Sequence, residues 1–284
     1  MQLLDGKSLA QKIEQNVTVE AKEFKTRTQR VPGLAVILVG HDAASQAYVG
    51  MKKKACDRAG FYSVTHEMPD DISQEAIIKT IEMMNHNPNI DGILIQLPLP
   101  KHIDTTKILE VVSPSKDVDG FHPFNVGRLA TGLDGFVPCT PLGVMELLSE
   151  YNIDPKGLNA VIVGASNIVG KPMAALLLNA NATVTITHIH TKDLKSHTLN
   201  ADILLVGAGV INLIKEDMVR EGTIVVDIGS NRTSDGRLVG DVDYDAVAPK
   251  TSYITPVPGG VGPMTIAMLL SNTLKAAKNH AKEL

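Results

Sequence analysis

Tryptophan is absent from the 284 residues, aromatic residues together make up 4%, and cysteine occurs twice. A groove that stacks nucleobases needs aromatics set among basic side chains. With a formal net charge of -4 and a pI near 6.1 there is also no broad basic field to attract a polyanion. No nucleic-acid partner is expected. Cys56 and Cys139 stand far apart, with no CxxC or Cys/His grouping. That spacing offers neither a metal site nor a redox pair, so no metal is expected and a reducing cytosol is the natural home. No apolar run approaches the ~20 residues that span a bilayer. The opening MQLLDGKSLAQKIEQ also lacks the apolar core and small-residue cleavage site of a secretory signal. The expectation is a soluble, cytoplasmic chain with no membrane partner.

What is present is an ordinary globular balance, 44% hydrophobic and 20% charged, on a chain long enough for two modest domains. After an opening helix come three short apolar or β-branched segments, LAVILVG (34–40), FYSVTHEMP (61–69) and DGILIQLPLP (91–100), separated by helical stretches. Strands about thirty residues apart with a helix in each gap are the βαβ rhythm of a buried parallel sheet. In CTPLGVMELLSEY, Thr140 is placed to cap a helix and Pro141 to occupy its first position. The rhythm then restarts with strands at 159–165, 182–188, 201–209 and 222–230, and a last helix is expected from about Thr265 to the end. The fold class is α/β in two domains: 1–139, joined by a C-terminal helix over 266–284, and a parallel-sheet domain over 140–265.

In VIVGASNIVGKPMAALLL a buried strand runs into Gly164, Ser166 and Gly170 and then a helix. Glycines at such a junction let backbone approach a pyrophosphate, and the helix N-terminus offers free amides. The spacing is G-x-S-x-x-x-G rather than G-x-G-x-x-G, so context carries the dinucleotide reading. A tight strand-to-helix turn is the alternative. At the end of the next strand, where an acid would bind the ribose hydroxyls of NAD, the sequence reads THIHTKDL. His188, His190 and Lys192 there tolerate a 2′-phosphate and tilt the choice to NADP, with NAD possible. The two histidines are expected on opposite faces of the strand end.

In SQAYVGMKKKACDRAG, helical spacing stacks Tyr48 and Lys52 on one face, with Ser45 a turn earlier. Lys53 and Lys54 turn about 100° and 200° further round. Lys53 is spaced for a surface ion pair with Asp57. A solvated helix face is the default for all three lysines at this level.

YVGMK (48–52), IQLPLP (95–100), KDVDGF (116–121), GASNIVGKP (164–172) and TPVPGGVGPMT (255–265) together resemble the methylenetetrahydrofolate dehydrogenase/cyclohydrolase family over essentially the whole chain. The resemblance implies a catalytic domain followed by a Rossmann-like NADP-binding domain, with the C-terminal helix packing on the first. It implies two reactions: oxidation of 5,10-methylenetetrahydrofolate, then hydrolysis of the methenyl product to 10-formyltetrahydrofolate. Lys52 matches the catalytic lysine, Tyr48 the tyrosine stacking on folate, and Gln96 the glutamine beside the lysine. Leu97 and Pro98 continue that substrate-binding strand end, Asp119 matches the aspartate holding the pterin, and Pro258, Gly259 and Gly260 match a loop against the folate. Gly164, Ala165, Ser166, Ile189 and Ser230 fall at cofactor positions, and a homodimer through the nucleotide domain is implied.

The chemistry suits these residue types. Breakdown of the water adduct moves a proton between oxygen and nitrogen, work for a lysine eased towards its neutral form by burial and a cationic substrate. Neutral Gln96 can orient it without holding it charged. Asp119 can accept paired hydrogen bonds from the pterin. Relatives carry arginines where Ala165 and Ile189 stand, and an aliphatic residue where Ser230 stands, which leaves the histidines, Lys192 or Lys171 to supply charge. The alternatives are a monofunctional dehydrogenase and a folate- or nucleotide-binding protein without turnover.

Overall fold

The computed structural model describes residues 1–282. In chain order the elements are β1 (Gln2–Leu3), α1 (Gly6–Thr28), β2 (Gly33–Val39), α2 (Ala43–Ala59), β3 (Tyr62–Met68), α3 (Gln74–His86), β4 (Gly92–Ile95), α4 (Thr105–Val111) and α5 (Pro123–Ala130). There follow α6 (Cys139–Glu150), β5 (Asn159–Val163), α7 (Gly170–Asn179), β6 (Thr183–Thr187), α8 (Leu194–Thr198), β7 (Ile203–Val206) and β8 (Ile224–Asp227). The chain closes with β9 (Asn231–Arg232), β10 (Leu238–Val239), α9 (Tyr244–Val247), β11 (Tyr253–Ile254) and α10 (Val261–His280). It divides into two compact units, each α/β. Among the described residues, no helix is long and apolar enough to cross a membrane.

The three-stranded unit comprises Gln11–Arg128, Asp134–Cys139 and the described residues from Ile266 onward. Its sheet has the order β3-β2-β4, all parallel. β2 is central and buried along its whole length, as the unbroken run GLAVILV requires. β3 lies at the edge and is only partly covered. Ile37, Ile77, Ile81, Ile93 and Ile108 build the core between sheet and helices. Because β3 and β4 flank β2 on opposite sides, the carboxyl ends of β2 and β4 form a switch point, where ligands of open α/β sheets bind.

The six-stranded unit comprises Met1–Ala10, Leu129–Leu133 and Thr140–Thr265. Its sheet runs β1-β11-β8-β7-β5-β6, parallel throughout, around a core that includes Val161, Leu204, Val206 and Val225. The switch point falls between β5 and β7. Residues 1–10 therefore belong here, not to the first domain as a break at 139/140 would place them, because β1 hydrogen-bonds to β11.

Several boundaries differ from expectation. The third apolar segment stops being a strand at Ile95, since Pro98 and Pro100 have no N–H to donate. Helix α6 starts at Cys139, inside which Thr140 bonds through its hydroxyl to Thr265 Oγ1 at 2.9 Å instead of capping. Helix α10 begins at Val261 and not Thr265, with Pro263 in its first turn, where a missing N–H is harmless. It ends at His280; residues 283 and 284 of the expected helix lie outside the described range.

Candidate functional site

Asp42 opens α2 by accepting the Ser45 N–H at 2.7 Å, and Gly60 closes it at φ 74, the left-handed cap glycine tolerates. On this helix Lys52 is buried while Lys53 and Lys54 are exposed. Its Nζ donates to Gln96 Oε1 at 3.0 Å. Gln96 stands one residue past β4, its backbone N–H on the Ile37 carbonyl at 2.9 Å, so it occupies the switch point. Its amide donates to the Leu97 carbonyl at 2.8 Å, which turns Oε1 towards the lysine. Leu97 is half-buried, and Pro98, after a cis peptide bond, is exposed. Tyr48 is half-buried one helical turn before Lys52. The expected Lys53–Asp57 pair does not form; among the described residues, the ion pair on this stretch of α2 joins Arg58 to Glu14.

The two acids of KDVDG have different surroundings. Asp117 is buried and accepts the Phe121 and His122 N–H groups and Asn125 Nδ2 at 2.8–3.1 Å, which folds its own turn. Lys116 is also inward, donating to the carbonyls of Met84 and Asn87. Burial shifts both towards neutrality, raising Asp117 and lowering Lys116. Asp119 is the acid whose surroundings are chemical. Burial pushes its carboxyl up and the Lys52 charge pulls it down, while the nearby Cys139 thiol donates to the Val118 carbonyl at 3.4 Å. Cys139 is itself pushed well up by burial and by Asp119. Asn272 of α10 clamps this turn through the Val118 and Val137 carbonyls at 2.8 and 3.0 Å. A side chain on Gly120, at φ 69, would strike the Phe136–Pro138 backbone. Lys52, Gln96 and Asp119 thus lie in one unit, with Cys139 and Asn272 as neighbours that sequence reasoning missed.

Pro258, Gly259 and Gly260 belong to the six-stranded unit. The Val257–Pro258 bond is cis and Gly259 has φ 111. The Gly259 carbonyl accepts the Lys7 N–H at 2.8 Å, and Gly6 lies so close to Gly260 that a Cβ on Gly6 would sit 1.9 Å from its oxygen. Backbone contact with helix α1 therefore fixes this loop.

At the switch point of the six-stranded sheet, a Cβ on Gly164 would fall 2.2 Å from the Gly207 oxygen, and one on Gly170 2.0 Å from the Gly164 oxygen. Both glycines are sterically required, which is the physical content of the unusual spacing. Ser166 Oγ accepts the Val169 and Gly170 N–H groups at 3.1 and 3.4 Å. Among the described residues, the backbone N–H groups of Ala165, Ser166, Asn167 and Ile168 have no protein partner, leaving a polar cradle at the start of α7. The cradle fits the phosphates of a dinucleotide. Ile189 is 93% exposed, and Ser230 is exposed beyond β8. His188 and His190 do not diverge: β6 ends at Thr187, and in the turn that follows their rings meet at 5.9 Å, with the His190 N–H on His188 Nδ1. Lys192 is exposed nearby, whereas Lys171 is held by Asn167.

Two family models match the chain. Residues 4–119 match the catalytic domain of tetrahydrofolate dehydrogenase/cyclohydrolase, and residues 138–281 its NAD(P)-binding domain. The chain is 78% identical over 283 residues to the bifunctional protein FolD of Sulfurimonas denitrificans, covering 100% of this chain and 99% of that protein. The crystal structure of the bifunctional FolD dehydrogenase/cyclohydrolase from Campylobacter jejuni superposes with a TM-score of 0.96 at 56% identity, covering 98% and 99% of the two chains. That of the Trypanosoma brucei enzyme, complexed with NADP cofactor and an inhibitor, gives 0.95 at 38% identity, covering 98% and 97%.

Proposed function

The chain belongs to the tetrahydrofolate dehydrogenase/cyclohydrolase family, and from that premise we propose how its own residues divide the work of the family's two reactions. It oxidises 5,10-methylenetetrahydrofolate to the methenyl form with NADP, and hydrolyses that to 10-formyltetrahydrofolate. NADP, when bound, takes the hydride that leaves the methylene carbon. The phosphates belong in the cradle of Gly164, Ala165 and Ser166 at the start of α7, with Ile189 and Ser230 alongside. Positive charge for a 2′-phosphate comes from Lys192, exposed beside the His188–His190 pair.

The observation that carries the assignment of the hydrolytic step is the single buried lysine of the KKK run, its Nζ 3.0 Å from a neutral amide oxygen. Water adds to the methenyl carbon and gives up one proton to solvent; as the bond from that carbon to N5 breaks, the adduct hydroxyl loses its proton and N5 gains one. Lys52 moves that proton, and Gln96, a neutral amide, aims it. Asp119 accepts from the pterin ring N–H and amino group, Tyr48 stacks on the folate, and Leu97 and Pro98 shape its contacts.

Two finer readings go with this. The sheet ends at β6, whose outer edge is unpaired and carries exposed Ile186, with Leu178 exposed on α7; this supports a homodimer through the six-stranded unit. The two free, buried cysteines suit a reducing cytosol. The test is purified protein given methylenetetrahydrofolate with NADP or with NAD, followed by reduced-nicotinamide absorbance and methenyl decay. Both signals are expected with NADP; methenyl that accumulates without enzymatic decay would leave a dehydrogenase alone.

A further inference from the structure

The loops at the carboxyl ends of β7 and β8 are held by two buried acids outside every motif considered so far. Asp241 is fully buried. Its Oδ2 accepts the Ala208 and Gly209 N–H groups at 2.6 and 2.8 Å, and its Oδ1 accepts Asn231 Nδ2 at 2.7 Å. Its own N–H donates to Asp227 Oδ1 at 3.0 Å. Asp227, the last residue of β8, also accepts the Gly229 and Val242 N–H groups at 2.9 and 3.0 Å. The acids leave no room for a side chain at the neighbouring glycines: a Cβ on Gly229 would lie 2.4 Å from Asp241 Oδ1, and one on Gly240 1.8 Å from Asp227 Oδ2.

This network reaches the dinucleotide crevice by a short path. Gly207 directly precedes the two amides that Asp241 holds, and its carbonyl is the atom against which Gly164 packs at the β5–β7 switch point. One carboxylate therefore ties the backbone on the β7 side of the crevice to the loop after β8. Burying two carboxylates side by side costs stability that an apolar filling would not. What the acids supply is loop geometry, since a single carboxylate accepts from three donors on two different loops.

We propose that Asp241 is a positioning residue for the dinucleotide: it fixes the 207–209 and 229–231 backbone that borders the crevice, and so governs nucleotide binding and oxidation but not methenyl hydrolysis. This rests on the reading that the crevice beside Gly164 holds the nucleotide. The two activities of the enzyme supply the control, because hydrolysis can be followed without nucleotide. Asp241→Asn replaces an accepting oxygen by a donor, and Asn231→Ala removes one donor while leaving the carboxylate in place.

The measurements are NADP affinity by calorimetric titration, dehydrogenase kcat/KM, and methenyl decay without nucleotide. Asp241→Asn should raise the NADP Kd about tenfold or more, and Asn231→Ala about threefold, with hydrolysis within about twofold of wild type. Asn231→Ala carries the test if Asp241→Asn does not fold. Unchanged NADP affinity, or both activities falling together with the melting temperature, overturns the proposal. Gly164→Ala separates the underlying reading: if it keeps wild-type NADP affinity, the crevice is not the nucleotide site, whatever Asp241 does.

Discussion

Three adjacent lysines of one type end in two environments. Helical spacing already separated Lys52 from Lys53 and Lys54, but it left a solvated face as the default for all three. Burial and the 3.0 Å contact with Gln96 distinguish them. Lys52→Met should lower methenyl hydrolysis by about a hundredfold or more, while Lys53→Met and Lys54→Met leave it within about twofold of wild type. Stopped-flow methenyl decay reads all three, and equal losses would refute the assignment. The acids of KDVDG carry a similar lesson. Asp117 and Asp119 are two residues apart, and sequence alone makes either a turn acid. Asp117 spends its oxygens on its own turn, whereas Asp119 feels the charge of Lys52. Asp119→Asn should raise the folate KM about tenfold or more with NADP affinity unchanged, as steady-state kinetics at saturating nucleotide would record.

Among the elements, strand interiors were legible and strand ends were not. Runs such as LAVILV and ILLV announce buried parallel strands by composition. What the chain does after the last strand residue depends on glycine, proline and acid side chains, whose partners lie far away in sequence. The turn proposed for the dinucleotide was legible in its strand, glycines and helix, yet the reason for its spacing, contact between Gly164 and Gly207, was invisible. The acid that ends IVVD was readable as an oddity, because an apolar strand closing on a carboxylate has to bury or solvate it. Here burial raises the Asp227 carboxyl from its ordinary 3.8 to about 6, against the backbone N–H groups that pull it down. A raised carboxyl binds its proton more tightly folded than unfolded. Its contribution to stability is therefore full below pH 3.8 and is lost as pH rises through about 6. The stability advantage of wild type over Asp227→Asn should shrink by on the order of 3 kcal/mol across that window and stay level above it. Denaturant melts at stepped pH measure the difference.

At the scale of the whole molecule, the chain returns to its beginning twice, and neither return has a local signal. Strand β1, two residues long, adds an edge to a sheet whose other strands come from beyond residue 158. Helix α10 packs back on the three-stranded unit, where Asp91 is fully buried between Arg30, which grips it at 2.8 and 3.0 Å, and His280 at 3.1 Å. Although burial pushes the Asp91 carboxyl up, the hydrogen bonds from His280, Arg30 and the Gly33 N–H hold it below 3.8. A depressed carboxyl stabilises above its unfolded value and loses that contribution as pH falls below it, so this anchor should weaken in acid below about pH 4. Asp91→Ala leaves Arg30 without its buried partner and should cost about 3 kcal/mol at neutral pH, read by chemical denaturation. Sizing in solution should give a dimer, and charged substitution of Ile186 on β6 should shift it towards monomer.

Local pattern by itself determined the α/β class and the positions of most strands and helices, while QLPLP, KDVDG and PGGVGPMT carry the resemblance that implies the family and its chemistry. These follow from side-chain type along a contiguous stretch, which a sequence carries completely. Tertiary structure alone decided which lysine is buried, which aspartate spends its oxygens on its own turn, why Gly164 and Gly170 admit no side chain, and that Asp227 and Asp241 hold the loops after β7 and β8. Each of these depends on the distance between atoms remote in the chain, and burial, hydrogen-bond partners and pKa are properties of that proximity.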